Sequence, residues 1–375
     1  MKPRLIALWA LAVVLVFGTS RQVSAADLSD LTYTISNNEV TITDCNESAA
    51  GHLEIPATIQ GKPVTSIGDW AFHRCAALTS VTIPEGITSI GFAAFGDCDI
   101  MTSINVDPQN PNFSGLDGVL FNKDQTELLR FPVGKTGAYS IPNGVTSMES
   151  GAFHRCAALT SVTIPEGVTS IPSEAFDHCI GLTSVNIPNS VTSIEGEAFW
   201  DCASLTSITI PNSVTNIGTI SSPGLGGAFG YCISLTSVNI PASVTSIGDG
   251  TFRYCDSLTS VSFSGPPPAV GSAAFPTSNP GFTFKARAGF GASFQGHPVT
   301  QELQITHTGI DAGGNLMIDT DSLNTMGLKV LHTPTLGSSF SEFMGISKEG
   351  EGRVIIPSSA GLLNGSSVFF RVVYQ

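Results

Sequence analysis

A unit of 23 residues recurs along most of the chain and limits the folds available to it. Residues 158–179, 181–202 and 234–255 read ALTSVTIPEGVTSIPSEAFDHC, GLTSVNIPNSVTSIEGEAFWDC and SLTSVNIPASVTSIGDGTFRYC. A period of this size is typical of solenoid and other repeat architectures. One such unit cannot bury its own apolar face, so the repeat predicts coils that stack and share one continuous core.

Within each unit the apolar positions alternate on a short strand, and a proline ends it. In the unit around residue 165, Leu159, Val162 and Ile164 point inward, and Pro165 stops the strand because it has no N–H to donate. An Ala-Phe pair fills the opposite wall of the coil. The inward phenylalanines are Phe72, Phe95, Phe153, Phe176, Phe199, Phe229 and Phe252.

The spacing of the repeat shows where loops are inserted. Proline and cysteine are 14 residues apart in five units, 19 apart in the first unit and 21 apart in the sixth. The extra residues lie around residues 61–63 and 221–224. Because the rest of each unit is unchanged, we expect these insertions to be loops.

The pattern L-T-S-V-x-I-P-x-x-V-T-S-I-x-x-x-A-F-x-x-C resembles the BspA-type leucine-rich repeats of bacterial surface and secreted proteins. The resemblance implies a mainly β, curved solenoid of 23-residue coils with short helical turns, over residues 26–298. It also implies an N-terminal cap at 26–67, a hairpin-bearing variant coil at 105–141 and a closing unit at 263–298. The family further implies protein or glycan binding outside the cell and no catalytic centre.

The repeat stops at residue 298, and residues 299–375 have a different pattern. Strand-like runs at 303–310, 315–321, 328–333, 353–357 and 368–374 are separated by Gly- and Ser-rich turns. This pattern predicts a small β-sandwich. It resembles the immunoglobulin-like or fibronectin-like end modules of secreted bacterial proteins.

The first 25 residues have the pattern of a signal peptide. Lys2 and Arg4 precede thirteen apolar residues, and small residues at 23–25 provide a cleavage site. Thirteen apolar residues are too few to span a bilayer. We therefore expect export, a secreted or cell-surface location, and no membrane span after cleavage.

Charged residues make up 12% of the chain, about half of the usual fraction, and the net charge is -14. An acidic chain without a basic stripe is a poor match for nucleic acid. The expected partner is an extracellular protein or glycan.

Seven of the eight cysteines follow the phenylalanines at a fixed distance: Cys75, Cys98, Cys156, Cys179, Cys202, Cys232 and Cys255. Export favours disulfides. In-register cysteines have parallel side chains, however, whereas a disulfide needs a dihedral angle near 90°. Buried thiols are the favoured interpretation and disulfides the alternative, with Cys45 outside the register.

The sequence contains no persuasive catalytic or metal-binding motif. His73, His154 and His178 lie near cysteines, but the inward thiols and outward imidazoles would not converge on one zinc ion. There is no G-x-S-x-G motif, and Glu195 with Glu197 occupies a turn. We therefore expect no enzyme activity, no cofactor and no metal.

Two surfaces are candidate binding sites. One is the concave sheet, where outward strand positions carry uncharged polar residues suited to a glycan: Ser161, Thr163, Ser184, Asn186, Ser207, Thr209, Ser237 and Asn239. The other is the variable turn between phenylalanine and cysteine, where residues typical of protein interfaces occur: Arg155, Trp200, Tyr231, Arg253 and Tyr254. Protein binding or adhesion is the primary hypothesis. Glycan binding and a purely structural surface role are the alternatives.

Overall fold

The structure is a computed structural model that describes residues 26–219, 226–276, 279–286 and 293–301, together with seven strands beyond residue 304. The predicted signal peptide and the insertion around 221–224 lie outside the described residues.

The repeat region consists of short strands joined by turns. Its strands are β1 (Leu31–Ser36), β2 (Glu39–Cys45), β3 (Ala50–Glu54), β4 (Thr58–Ile59), β5 (Lys62–Ile67), β6 (Ala77–Ile83), β7 (Ser89–Ile90), β8 (Ser103–Val106), β9 (Phe113–Leu116), β10 (Val119–Asn122), β11 (Glu127–Arg130), β12 (Gly137–Ser140), β13 (Ser147–Met148), β14 (Leu159–Thr163), β15 (Ser170–Ile171), β16 (Ser184–Asn186), β17 (Ser193–Glu195), β18 (Ser207–Thr209), β19 (Asn216–Thr219), β20 (Ser237–Ile240), β21 (Ser246–Ile247), β22 (Ser260–Phe263), β23 (Ala269–Val270), β24 (Thr283–Ala286), β25 (Ser293–Phe294) and β26 (His297–Gln301).

Successive coils pair in parallel, which confirms the predicted β-solenoid. Two strands of each coil take part, and each pairs with its counterpart one coil further along. In the first series, Ser161 lies opposite Ser184 and Ser237 opposite Ser260. In the second series, β15, β17, β19, β21 and β23 form one sheet. The register equals the sequence period, so equivalent side chains lie beside each other.

The N-terminal cap replaces this pattern with antiparallel pairing. Strands β1 and β2 form a hairpin, and β2 then pairs in parallel with β5. The expected insertion at residues 61–63 is the turn of the short β4–β5 hairpin. Gly61 has a φ of 75° in this turn, a conformation that suits glycine.

The short helical turns expected in each coil are instead hydrogen-bonded turns without helical continuation. In the first coil, the N–H groups of His73 and Cys75 donate to the carbonyls of Trp70 and Phe72. Trp70 and Arg74 have φ values of 60° and 63°, and these left-handed residues interrupt any right-handed helix. Among the described residues, the one helix is a 3-10 turn at Leu28–Asp30.

The phenylalanines stack in two runs of rings within the core. Centroid distances between neighbouring rings from Phe153 to Phe252 are 4.9–5.4 Å, with interplanar angles of 3–20°. Phe131 of the variant coil extends this run, 5.0 Å from Phe153. Phe72 and Phe95 form the shorter run, 5.2 Å apart.

All eight cysteines are buried, and their thiols are unpaired in this structure. Five of them donate to the phenylalanine carbonyl of the preceding coil at 3.0–3.2 Å: Cys98, Cys179, Cys202, Cys232 and Cys255. Each of these thiols therefore acts both as a small apolar group and as a hydrogen-bond donor between coils. Burial raises the pKa of Cys98 and of Cys255 to about 12.

The variant coil divides the apolar core into two clusters. Its hairpin, β9 and β10, projects alternate side chains of β10 to opposite sides. Leu120 packs with the N-terminal cluster, whereas Val119 and Phe121 pack with the larger cluster that extends to Ala286.

The C-terminal residues form antiparallel strands, and all five predicted runs contain one. The strands are β27 (Ile305–Ile310), β28 (Leu316–Thr320), β29 (Leu328–Thr333), β30 (Ser341–Glu342), β31 (Ser347–Glu349), β32 (Arg353–Ile356) and β33 (Phe369–Tyr374). They pair in the orders β27-β28-β32-β31 and β30-β29-β33. A separate sandwich module at 299–375 stays a prediction.

Removing one ring from the phenylalanine stack tests its contribution to stability. Phe199 is fully buried and stacks at 5.1 Å on both Phe176 and Phe229. We expect Phe199→Ala to lower the free energy of unfolding by about 3–5 kcal/mol, because it leaves a cavity in the core. Urea denaturation followed by circular dichroism measures this change.

Phe92→Ala is the matched control, because its ring is 51% exposed. We expect a loss of about 1 kcal/mol or less for this exposed ring. Equal losses from the two variants would contradict a stabilising role for the buried stack.

Candidate functional site

The uncharged polar residues predicted from the repeat lie side by side on the first series of strands. Six of them are exposed in parallel register: Ser184, Asn186, Ser207, Thr209, Ser237 and Asn239. Thr163 is exposed and Ser161 half-buried. We call these eight residues the polar ladder. It is divided between two sheets, one ending at β16 and one starting at β18.

The threonines just before this ladder have a structural role. The hydroxyl of Thr183 donates to the carbonyl of Thr160 at 2.9 Å, and that of Thr259 donates to Thr236 at 3.2 Å. These bonds link one coil to the next. Hydroxyl groups on this face thus serve two purposes, coil-to-coil bonding at one position and an outward polar surface at the next.

The structure brings four of the predicted turn residues together on the last three Phe-x-x-Cys corners. The rings of Trp200 and Tyr231 lie 4.9 Å apart, and those of Tyr231 and Tyr254 lie 4.5 Å apart. The guanidinium of Arg253 lies 4.5 Å from the centre of the Tyr254 ring and donates to its hydroxyl at 2.7 Å. We call these four residues the aromatic strip.

Local backbone geometry explains how the rings meet. Tyr231 and Tyr254 occupy the second corner position, with φ values of 58° and 60°. Trp200 occupies the first position and lies across Gly226 and Gly230, where a Cβ atom would come within 2.2–2.3 Å of its indole ring. Both glycines are therefore needed for the tryptophan to lie against the coil surface.

The earlier corners carry carboxylate contacts to arginine and histidine side chains. Arg155, a predicted binding residue, donates to the Asp97 carboxylate at 3.0 Å, away from the aromatic strip. Asp177 contacts two imidazoles, with Nδ1 of His154 at 3.2 Å and Nδ1 of His178 at 2.6 Å. The corner surface thus has an ionic part and an aromatic part.

Sequence reasoning missed a cleft beside the variant coil. It has a volume of about 180 Å³, with apolar walls that include Trp70, Phe92 and Leu129. The signal for it is the 58-residue gap between Cys98 and Cys156, in which no Phe-x-x-Cys corner occurs. Arg155 and Asp97 pair across this gap in the sequence.

The polar side of the cleft contains Arg130, Glu149, His154 and Glu174. Burial is the main cause that raises the pKa of both glutamates, and burial lowers the pKa of His154 to about 4. These shifts favour uncharged side chains in the cleft.

Among the described residues, one group of possible metal ligands comes together next to this cleft. Ligand atoms of His154, Glu174 and Asp177 lie within 4.8 Å of one another. One imidazole and two carboxylates form a donor set of the kind that zinc accepts. The sequence reasoning did not join these three residues because they come from two different coils.

The family of the chain follows from a sequence comparison. The model of the BspA type Leucine rich repeat region matches in six copies, over residues 46–132, 134–221 and 226–283. These ranges make up more than half of the chain. The chain therefore belongs to the BspA-type leucine-rich repeat proteins.

Solved structures of bacterial leucine-rich repeat proteins resemble the fold. The pneumococcal vaccine antigen PcpA matches with 16% identity and a TM-score of 0.52, covering 74% of this chain and 98% of PcpA. A leucine rich cell surface protein from Faecalibacterium prausnitzii matches with 28% identity and a TM-score of 0.42, covering 68% of this chain and 74% of that protein. At 16% identity, the similarity to PcpA shows the fold.

Two searches, one among curated proteins and one for membrane-spanning helices in the described part of the chain, found nothing. No curated protein matches the chain significantly. Among the described residues, no helix has the length and apolar character needed to cross a membrane.

A variant of Asp177 tests the electrostatics of the ionic corners. Its side chain is 10% exposed, and burial raises its pKa to about 7. The folded state therefore binds the proton more tightly than the unfolded state, and the resulting stability is lost as pH rises from about 4 through 7. We expect Asp177→Asn to raise Tm above wild type at pH 8, with the gain disappearing near pH 4.

Differential scanning calorimetry at pH 4, 6 and 8 measures this effect. The amide keeps the contacts to His154 and His178 while removing the buried charge. Asp201→Asn is the matched control, because that carboxyl is 33% exposed at the equivalent surface. A gain for Asp177→Asn that does not change with pH would show that burial of the charge is not its cause.

Proposed function

We propose that this protein is exported and binds an extracellular protein through the aromatic strip, without catalysing a reaction. Membership of the BspA-type leucine-rich repeat proteins supports a repeat-based binding surface. The signal-peptide pattern of the first 25 residues supports a secreted or cell-surface location.

The observation that carries the proposal is the chemistry of the aromatic strip. Tyr231 and Tyr254 are 38% and 37% exposed, although each is in contact with another ring. Tryptophan, tyrosine and arginine are the residues most enriched among binding hot spots. A folded globular protein would otherwise gain by burying such rings, so their shared exposure favours a contact role.

The stacked coils also hold the aromatic strip in place before a partner arrives. Its three corners are joined by backbone hydrogen bonds: the N–H of Asp201 donates to Gly230 at 2.8 Å and that of Tyr231 to Arg253 at 2.9 Å. A partner that binds here does not have to order a loop. Less conformational entropy is lost on binding to such a preorganised surface.

A second candidate function is glycan recognition on the polar ladder. The observation that favours it is the parallel register of exposed side chains: Ser207 lies beside Ser237, and Thr209 beside Asn239. Hydroxyl and amide groups at fixed spacing can donate to and accept from sugar hydroxyls.

Alanine variants of the two surfaces separate the two candidates. We expect the triple variant Trp200→Ala, Tyr231→Ala and Tyr254→Ala to weaken binding to an extracellular protein at least about 100-fold, because three anchors are lost. The probe is the labelled protein, residues 26–375, applied to an array of extracellular proteins and to a glycan array. Biolayer interferometry then gives the affinity for each target found.

The matched control is a triple variant of the polar ladder, Ser207→Ala, Thr209→Ala and Ser237→Ala, on the strands of the same coils. Protein binding that is lost only in this control would overturn the assignment to the aromatic strip. Glycan binding lost in the control alone would support the second candidate. If the protein binds to neither array, a purely structural role at the cell surface is favoured.

A further inference from the structure

One cysteine pair, Cys45 and Cys75, lies where the N-terminal cap meets the first coil. Cys75 opens the series of in-register cysteines, and Cys45 is the last residue of β2 in the N-terminal cap. Both thiols are buried, at 0% and 2% exposure. Their sulfur atoms also approach the same main-chain oxygen, that of Asn46, at 3.7 and 3.8 Å.

Cys75 lacks the short hydrogen bond that five of the six later in-register thiols make; the sixth, Cys156, lies 3.9 Å from its phenylalanine carbonyl. Cys98 and Cys179 donate to phenylalanine carbonyls at 3.0 and 3.1 Å. Residues 26–71 contain no phenylalanine, so the cap has no phenylalanine carbonyl to accept from Cys75. The Cys75 sulfur instead lies 3.7 Å from the main-chain oxygens of Cys45 and Asn46. Moving the Cys75 sulfur therefore loses less hydrogen bonding than moving any of those five sulfurs would.

Geometry favours this pair for a second reason. In-register cysteines come from equivalent positions of successive coils, so their side chains run parallel, which opposes the dihedral angle of a disulfide. Cys45 instead comes from a strand of the antiparallel cap hairpin. Its side chain reaches Cys75 from a non-equivalent position, and the restriction that holds for in-register pairs does not apply.

We propose that Cys45 and Cys75 form a disulfide that fastens the N-terminal cap to the first coil when the chain folds in an oxidising compartment. The oxidant is a disulfide, either that of a thiol–disulfide oxidoreductase or oxidised glutathione. The Cys75 thiolate attacks the oxidant disulfide, forms a mixed disulfide and releases one thiolate. The Cys45 thiolate then attacks the Cys75 sulfur and releases the second.

Overall, two protein thiols lose two protons and two electrons, and the oxidant disulfide is reduced to two thiols. Because both sulfurs are buried in the folded protein, the reaction belongs to folding. The bond closes a loop over residues 46–74 and restricts the unfolded chain.

The test refolds the reduced protein, residues 26–375, in a mixture of reduced and oxidised glutathione and alkylates the remaining thiols under denaturing conditions. Intact mass then gives the number of free thiols. We expect six alkylated cysteines of the eight, against eight in dithiothreitol. Eight in both conditions, with a native circular dichroism spectrum, would overturn the proposal.

Peptide mapping identifies the pair without any variant. Trypsin cleaves after Arg74 and so separates Cys45 from Cys75, and Glu-C cleaves after Glu85 and separates Cys75 from Cys98. We expect the non-reduced digest to contain the Cys45 peptide joined to the Cys75 peptide. A bond between Cys75 and Cys98, or between any other two cysteines, would also overturn the proposal.

Two variants complete the test. Cys45→Ser should give seven alkylated thiols with or without oxidant, and its Tm should not depend on the redox buffer. Cys98→Ser, the in-register control, should keep the disulfide, with five alkylated thiols, and should melt a few degrees higher when oxidised, as wild type should. A redox-dependent Tm that persists in Cys45→Ser would contradict the assignment.

Discussion

The bonding between neighbouring Phe-x-x-Cys corners is the interaction on which the rest of the solenoid depends. At each regular corner, the N–H of phenylalanine donates to a residue of the next coil, as from Phe176 to Ala198 at 2.8 Å. The cysteine thiol donates in the opposite direction, from Cys202 to the carbonyl of Phe176 at 3.2 Å. These corner groups are buried away from water, so leaving them unpaired would cost free energy. The coils are therefore bonded to each other at the corner as well as through their strands.

The same corner decides what the protein presents to its surroundings. Of the two residues between phenylalanine and cysteine, the second is exposed or half-buried at every regular corner, whereas the first ranges from buried, as at Asp177, to exposed, as at Arg253. Both vary between coils while the ring stack and the thiols stay the same. In the earlier coils they form ion pairs, as between Arg155 and Asp97, and in the later coils they form ring contacts, as between Tyr231 and Tyr254. One backbone frame thus carries two surfaces of different chemistry. The side chains at the corners would decide which partner binds, and the stacked coils set the distance between these side chains.

Much of the fold could be predicted from the sequence because the length of the repeat gives the register of the pairing between coils. The 23-residue period gave the parallel pairing, and the alternation of Val162 and Ile164 gave the inward face. Helical turns were a wrong expectation, because the positive φ of residues such as Arg155 is not visible in a hydrophobic pattern. The cleft and the meeting of His154 with Asp177 were missed for another reason. The cleft lies beside the irregular unit, which the period does not describe. His154 and Asp177 are one period apart, so the register places their corners side by side, but it does not show that their side chains turn toward each other.

The strand β10 has a consequence for how far local unfolding can spread along the chain. Its alternate side chains belong to different apolar clusters, Leu120 to one and Phe121 to the other. Repeat proteins distribute their stability among neighbouring units, and a weak point between units limits how far an opening spreads. The cap and first coils would then form one cooperative unit and the coils that carry the aromatic strip another. Fraying that starts at the N-terminus would stop at this strand, and the surface beyond it would keep its shape.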